Sequence, residues 1–223
     1  MKQHVPASLN PAISNKFKER FRRHVFRLVY EGYVQLKGND KDYSTVIEED
    51  ISHDLTEGID CFLKADKSPP WVEKLSVQCE PPISPHGEVG RNRPRLDIKI
   101  RSGERPHCAT FVFETKRLRH AMRPADYFGK EGIERFWNAS GYPVNTYGEA
   151  GMLGYIQDED TAHWISWLKE RFEERRGALH TCKGFGWEYA IQVNELPETF
   201  CTCHQPSVNG EPIIIFHLLL LFC

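Results

Sequence analysis

The segment Phe111–His120, FVFETKRLRH, sets a carboxylate (Glu114), a hydroxyl (Thr115) and an ammonium (Lys116) directly after three apolar residues. The apolar run reads as a buried strand, and the polar switch marks where that strand emerges. Alternation along a strand puts Glu114 and Lys116 on one face and Thr115 on the other. Upstream, Arg95–Arg101 alternates strictly, with Leu96, Ile98 and Ile100 on one face and Arg95, Asp97, Lys99 and Arg101 on the other. That is the pattern of a half-buried strand. A hairpin turning around residues 105 and 106 brings Asp97 nearly opposite Glu114, and paired residues share a face. Asp97, Glu114 and Lys116 then converge on one patch.

Two carboxylates held close repel unless a cation lies between them or one is protonated. Mg²⁺ suits such a pair, because it prefers oxygen ligands and keeps several waters, and Mn²⁺ is expected to substitute. The Thr115 carbonyl could add a further oxygen. Lys116 beside the metal could orient or deprotonate a water, or neutralise charge growing on a phosphate. The competing structural reading makes Glu114 and Lys116 a strand-end ion pair, with Asp97 paired to Arg95 or Lys99. A buried carboxylate pair without a cation is costly, which weighs against it.

These residues need elements to hold them. Helices are expected over Lys16 to about Leu36, with Phe17, Phe21, Val25, Leu28 and Val29 at spacings of three and four, and from beyond Ser44 to about Lys64. The second carries the stripe Ile51, Leu55, Ile59 and Phe62. Glu48 borders that stripe and could look toward the patch, while a solvated acidic face (EED) is an equal alternative. Strands are expected over Val72–Cys79, Arg95–Arg101, Cys108–Lys116, Gly151–Gln157, Trp187–Asn194 and Pro212–Phe222. Further helices are expected over Lys130–Asn138 and Asp160–Arg176, and residues 1–14 read as irregular. From the second helix onward the order is α-β-β-β-α-β, followed by a helix and two strands, one α/β domain around a mixed sheet.

Asp97 and Glu114-Thr115-Lys116 on consecutive strands, behind a helix bearing Glu48, resemble the PD-(D/E)XK nuclease superfamily, the restriction-endonuclease-like fold. The position before Asp97 is Leu96 where the family motif has proline, with Pro94 close by. The resemblance covers residues 44–157, with 1–43 as an N-terminal helical extension and 158–223 completing a single domain. It implies Mg²⁺-dependent hydrolysis of phosphodiester bonds in DNA, as in restriction, phage defence or repair. Asp97, Glu114, the Thr115 carbonyl and Glu48 would hold the metal, and Lys116 would assist the water. A homodimer or a partner ATPase or helicase subunit is the expected setting. The alternative is a catalytically inactive module that keeps the fold to bind DNA or a protein.

Net charge is only −2, so bulk charge gives no attraction to nucleic acid, but cations cluster at 16–27, 91–101 and 116–123. Arg95, Arg117, Arg119, Lys130 and Arg135 are the candidate phosphate contacts, and Tyr127 and Tyr155 could lie nearby. Each has ordinary surface charge or core packing as its alternative. Seven cysteines without framework spacing fit a reducing cytoplasm. Cys201 and Cys203 in CTCHQ are one residue apart and lack a second paired motif, so zinc is not expected. His204 and His217 could approach the site from late strands that close one side of the sheet, and His217, embedded among leucines, reads as a core histidine. No secretory signal is expected, and the apolar run at 213–223 is too short to span a bilayer.

Overall fold

The computed structural model describes residues 11–81, 95–103, 108–137, 144, 147–206 and 210–223. Expectations for Arg91, Pro94 and the turn at 104–107 lie outside the described residues. Among those described are four α-helices, α1 (Pro11–Lys37), α2 (Glu48–Lys64), α3 (Pro124–Phe128) and α4 (Thr161–Arg175). The seven strands are β1 (Leu75–Cys79), β2 (Ile98–Ser102), β3 (Ala109–Leu118), β4 (Glu149–Ile156), β5 (Glu188–Tyr189), β6 (Thr199–His204) and β7 (Ile213–Leu221). They form one mixed sheet in the order β1-β2-β3-β4-β7-β6-β5, in which β3, β4 and β7 run parallel and the other pairs antiparallel.

Each face of the sheet carries its own apolar layer, as an α/β architecture requires. On one side Phe17, Phe21, Val25, Leu28 and Val29 of α1 and Ile51, Leu55 and Ile59 of α2 pack on Phe111, Phe113, Leu153 and Leu218. On the other, Tyr127, Phe128, Trp164, Leu168 and Phe172 cover Val112, Met152, Ile156 and Ile215. A fully buried side chain of this kind contributes roughly 1.5–3 kcal/mol. The two helices of the first layer cross closely, because a Cβ on Gly32 would stand 2.6 Å from Ile59 Cγ1 and 2.9 Å from the Leu55 carbonyl oxygen.

Several sequence expectations need correction. Residues 11–14 are helical, being the first turn of α1. The helix expected over 130–138 is replaced by α3 and a 3-10 turn at Ile133–Phe136. Pro124 can open α3, but Gly129 and Gly132 punctuate the segment, and a Cβ on Gly132 would stand 2.0 Å from the Tyr127 carbonyl oxygen. Residues 70–74 form a 3-10 turn ahead of β1. The strand expected over Trp187–Asn194 shrinks to two residues, and β6 was not anticipated, because both of its faces are largely buried and it lacks the two-residue alternation.

The expected register is observed as far as Ile98, which pairs with Phe113 as Ile100 does with Phe111; the ladder ends there, so the expected Asp97–Glu114 pair is not part of it. The alternation assigned to Arg95–Arg101, however, breaks at Asp97. Ile98 and Ile100 face α1 and α2, whereas Leu96 is buried in the opposite layer. β2 leaves β3 at Ile98, and the Leu96 amide bonds the Pro81 carbonyl instead, at 3.2 Å.

Candidate active site at the open edge of β3

After β2 diverges, the edge of β3 beyond Phe113 has no strand neighbour among the described residues, and acidic side chains occupy it. The Thr115 amide donates to Asp97 Oδ2 at 2.6 Å, and two residues on the Arg117 amide donates to Glu48 Oε2 at 2.9 Å. These are the alternate amides that a further strand would have taken. The N–H and C=O of one strand residue point to the same edge, so the Thr115 carbonyl faces it too. The Asp97 carboxylate therefore lies at this edge and does not stand squarely on the Glu114 face, a correction to simple cross-strand pairing.

Glu114 is fully buried. Lys116 Nζ donates to its Oε1 at 2.7 Å and to Glu48 Oε1 at 3.3 Å, bridging the two acids. Arg135, from the 3-10 turn, donates from one guanidinium nitrogen to both Glu114 oxygens at 2.8 Å. Asp97, Glu114, Lys116 and Glu48 are thus brought into one cluster of three carboxylates and two cations. Electrostatics follow from this surplus of negative charge. Burial, then the Glu114 charge, pushes the Asp97 carboxyl up to about 7. Burial also raises Glu48, against the opposing pull of Lys116. For Lys116, burial works against the ammonium, but Glu114 and Glu48 outweigh it and hold its pKa above the ordinary lysine value. Lys116 is a persistent cation here.

Support for these groups comes from residues the sequence did not single out. Ser52, one turn into α2 from Glu48, has its Oγ 3.1 Å from the Tyr155 hydroxyl and 3.2 Å from Thr115 Oγ1. Thr115 Oγ1 in turn donates to Asp97 Oδ2 at 3.0 Å. Ser52 can accept from the Tyr155 hydroxyl, and its own proton is shared between Thr115 Oγ1 and the Glu48 carbonyl, 2.9 Å away. Gln157, at the end of β4, donates from Nε2 to the Tyr43 and Val46 carbonyls, both at 2.7 Å, and so fixes the segment that launches α2 and Glu48. A serine and a glutamine carry no spacing signal, so only the packing reveals them.

The candidate phosphate contacts divide. Arg119 and Lys130 are exposed. Arg95 pairs with Glu80 at 3.1 Å. Arg117 is half-buried, with its guanidinium 3.5 Å from the Val46 carbonyl, and Arg135 is engaged by Glu114. Tyr127, His217, Thr202 and His204 form a separate buried chain. His204 Nδ1 donates to the Leu179 carbonyl (2.8 Å), leaving Nε2 to accept from Thr202 (2.7 Å). Thr202 accepts from His217 Nε2 (2.9 Å), whose Nδ1 accepts from Tyr127 (3.0 Å). Cys203 is buried and its free thiol is pushed up to about 12 by burial and by a side-chain hydrogen bond with the free Cys182.

Among the described residues no three His, Cys, Asp or Glu side chains form a group that could hold a metal. The donor chemistry of the edge still fits a hard cation at a smaller set, because every candidate ligand is oxygen and Asp97 lacks full compensation. Asp97 and the Thr115 carbonyl would hold it, joined by Glu114 where the cation displaces Lys116 or Arg135 from its oxygens, while Glu48 carries the Arg117 amide. No family model gives a significant match to the chain, and neither does any curated protein or solved structure.

Proposed function

We propose that this protein is a metal-dependent nuclease hydrolysing phosphodiester bonds of DNA on a restriction-endonuclease-like αβββαβ scaffold. The observation that carries the reading is the convergence of Asp97, Glu114 and Lys116 at the end of β3. Mg²⁺ or Mn²⁺ bound there would supply charge neutralisation and a polarised water. Asp97 sheds its proton near neutrality, so its carboxylate is available to a cation above about pH 7. Lys116, held protonated, orients a water or offsets charge growing on the phosphate; it is not a base in this arrangement. Ser52, Thr115 and Gln157 are positioning residues, and Glu48 fixes Lys116. Arg119 and Lys130 are exposed cations available to backbone phosphates. A role as effector in restriction or phage defence, as a homodimer or beside an ATPase subunit, belongs to the same proposal.

One observation favours a second reading, a non-catalytic module binding DNA or a protein. Arg135 and Lys116 together neutralise Glu114 without any metal. Incubation with plasmid and oligonucleotide DNA in Mg²⁺ or Mn²⁺ separates the two. Cleavage that falls about 10²-fold or more in Asp97→Asn and Lys116→Met, with unfolding midpoints retained, supports the nuclease. Equal cleavage by wild type and both variants, or none by any, removes it.

A further inference from the structure

The basic run of α1 has a place in the fold well away from the carboxylates. Arg20, Arg23 and His24 follow one another at helical spacing, and His24 stacks on Trp71 with ring centroids 4.4 Å apart and planes 20° from parallel. Cavities of about 410 and 710 Å³ open beside this aromatic pair, and Arg20, His24 and Trp71 line both. Lys74 adds a cation to the first, and Arg23 and Lys67 add cations to the second. The single carboxylate in either lining is Glu31, which is paired to Arg27 at 2.6 Å. By contrast, two other cavities are lined by acids, Asp54 and Glu57 in one and Glu57 and Asp60 in the other.

We infer that this groove, formed by α1 and the 3-10 turn at Pro70–Lys74, binds a single strand of nucleic acid. Its phosphates lie on Arg20, Arg23, Lys67 and Lys74, and its bases meet the aromatic surface of Trp71 and His24. The combination of spaced cations with a flat aromatic platform selects this partner. An acidic peptide satisfies the cations and leaves the aromatic surface unused, and a duplex keeps its bases stacked inside. The groove adjoins the C-terminal end of α2, whereas Glu48 opens its N-terminal end. Seventeen helical residues put the two roughly 25 Å apart. The observations that support the groove are therefore independent of the carboxylate patch.

Binding of a labelled oligothymidine of about 15 nucleotides, followed by fluorescence anisotropy in EDTA, tests it. The double variant R23E/K67E, at two exposed positions, is expected to weaken binding about tenfold or more and to flatten the salt dependence by about 1.4 in log–log slope. Trp71→Ala is expected to weaken binding with the slope unchanged, since it removes stacking and no charge. Unaltered affinity in R23E/K67E overturns the inference, as does a polyglutamate peptide or a blunt duplex that competes as well as the unlabelled strand. Cleavage absent in every condition with strand binding intact overturns the nuclease reading alone. Cleavage present with binding unaltered in R23E/K67E overturns the groove alone.

Discussion

Asp97 concentrates the electrostatic conflict of the site in a single carboxyl. Its ordinary value of 3.8 is raised to about 7, by burial first and by Glu114 second. Between those values the folded protein holds a proton that the unfolded chain has released. This contribution to stability is therefore full below pH 3.8 and is lost as pH rises through about 7. Asp97→Asn keeps an oxygen for the Thr115 amide and hydroxyl but removes the titration. Urea unfolding in EDTA should give similar midpoints for wild type and variant near pH 4 and a more stable variant at about pH 8. A difference that stays constant with pH would refute the assignment. The same proton competes with a cation. Calorimetric titration with Mn²⁺ should show affinity falling as pH drops below 7, by up to about tenfold per pH unit, and no such dependence in Asp97→Asn.

At the scale of elements, the edge of β3 is held by side chains where a strand is missing. Glu48→Ala leaves the Arg117 amide without its acceptor and Lys116 with Glu114 alone, at a cost of about 1–3 kcal/mol. Faster exchange of the Arg117 amide hydrogen should accompany it, and Glu48→Gln, which retains an acceptor, should recover most of the loss. The α1–α2 crossing sets a second limit. Alanine is a better helix former than glycine by about 1 kcal/mol, but Gly32→Ala forces a methyl group against Ile59 and the Leu55 carbonyl. Because backbone cannot yield as a flexible side chain does, the clash should win. A net loss of about 1–3 kcal/mol in thermal or urea unfolding is expected.

For the whole molecule, the buried chain Leu179–His204–Thr202–His217–Tyr127 ties α3, β6, β7 and the segment after α4 into one layer. Each hydrogen bond fixes the tautomer of the next, and both imidazoles are neutral. Burial lowers His204 from 6.5 to about 4 and holds His217 well below the ordinary histidine value. Here the unfolded chain binds the extra protons. The contribution is thus complete above pH 6.5 and is lost as pH falls toward 4. This trend opposes that of Asp97, so stability should climb more steeply between those pH values in Asp97→Asn than in wild type. Thr202→Val removes a donor to one histidine and an acceptor for the other. It should cost about 2–4 kcal/mol by urea unfolding at neutral pH.

Local chemistry made much of this legible in advance. Apolar spacing located α1, α2 and α4, and the pairing of Ile98 with Phe113 is the register expected for these two antiparallel strands. It also brought Asp97, Glu114 and Lys116 to one end of the sheet, because the period of a strand is fixed by backbone geometry. Asp97 itself shows where that reasoning stops. The break of alternation between Leu96 and Ile98 depends on which apolar layer has room for Leu96, and spacing along the chain does not encode that. Arg135 meets Glu114, Ser52 and Gln157 steady the acids, and β6 enters between β5 and β7, all through contacts between residues far apart in sequence. The sequence by itself determined the amphipathic helices and the acidic and basic residues that gather at the end of β3. Only tertiary packing decided that β2 would leave that edge open, and that carboxylates would take the place of the missing strand.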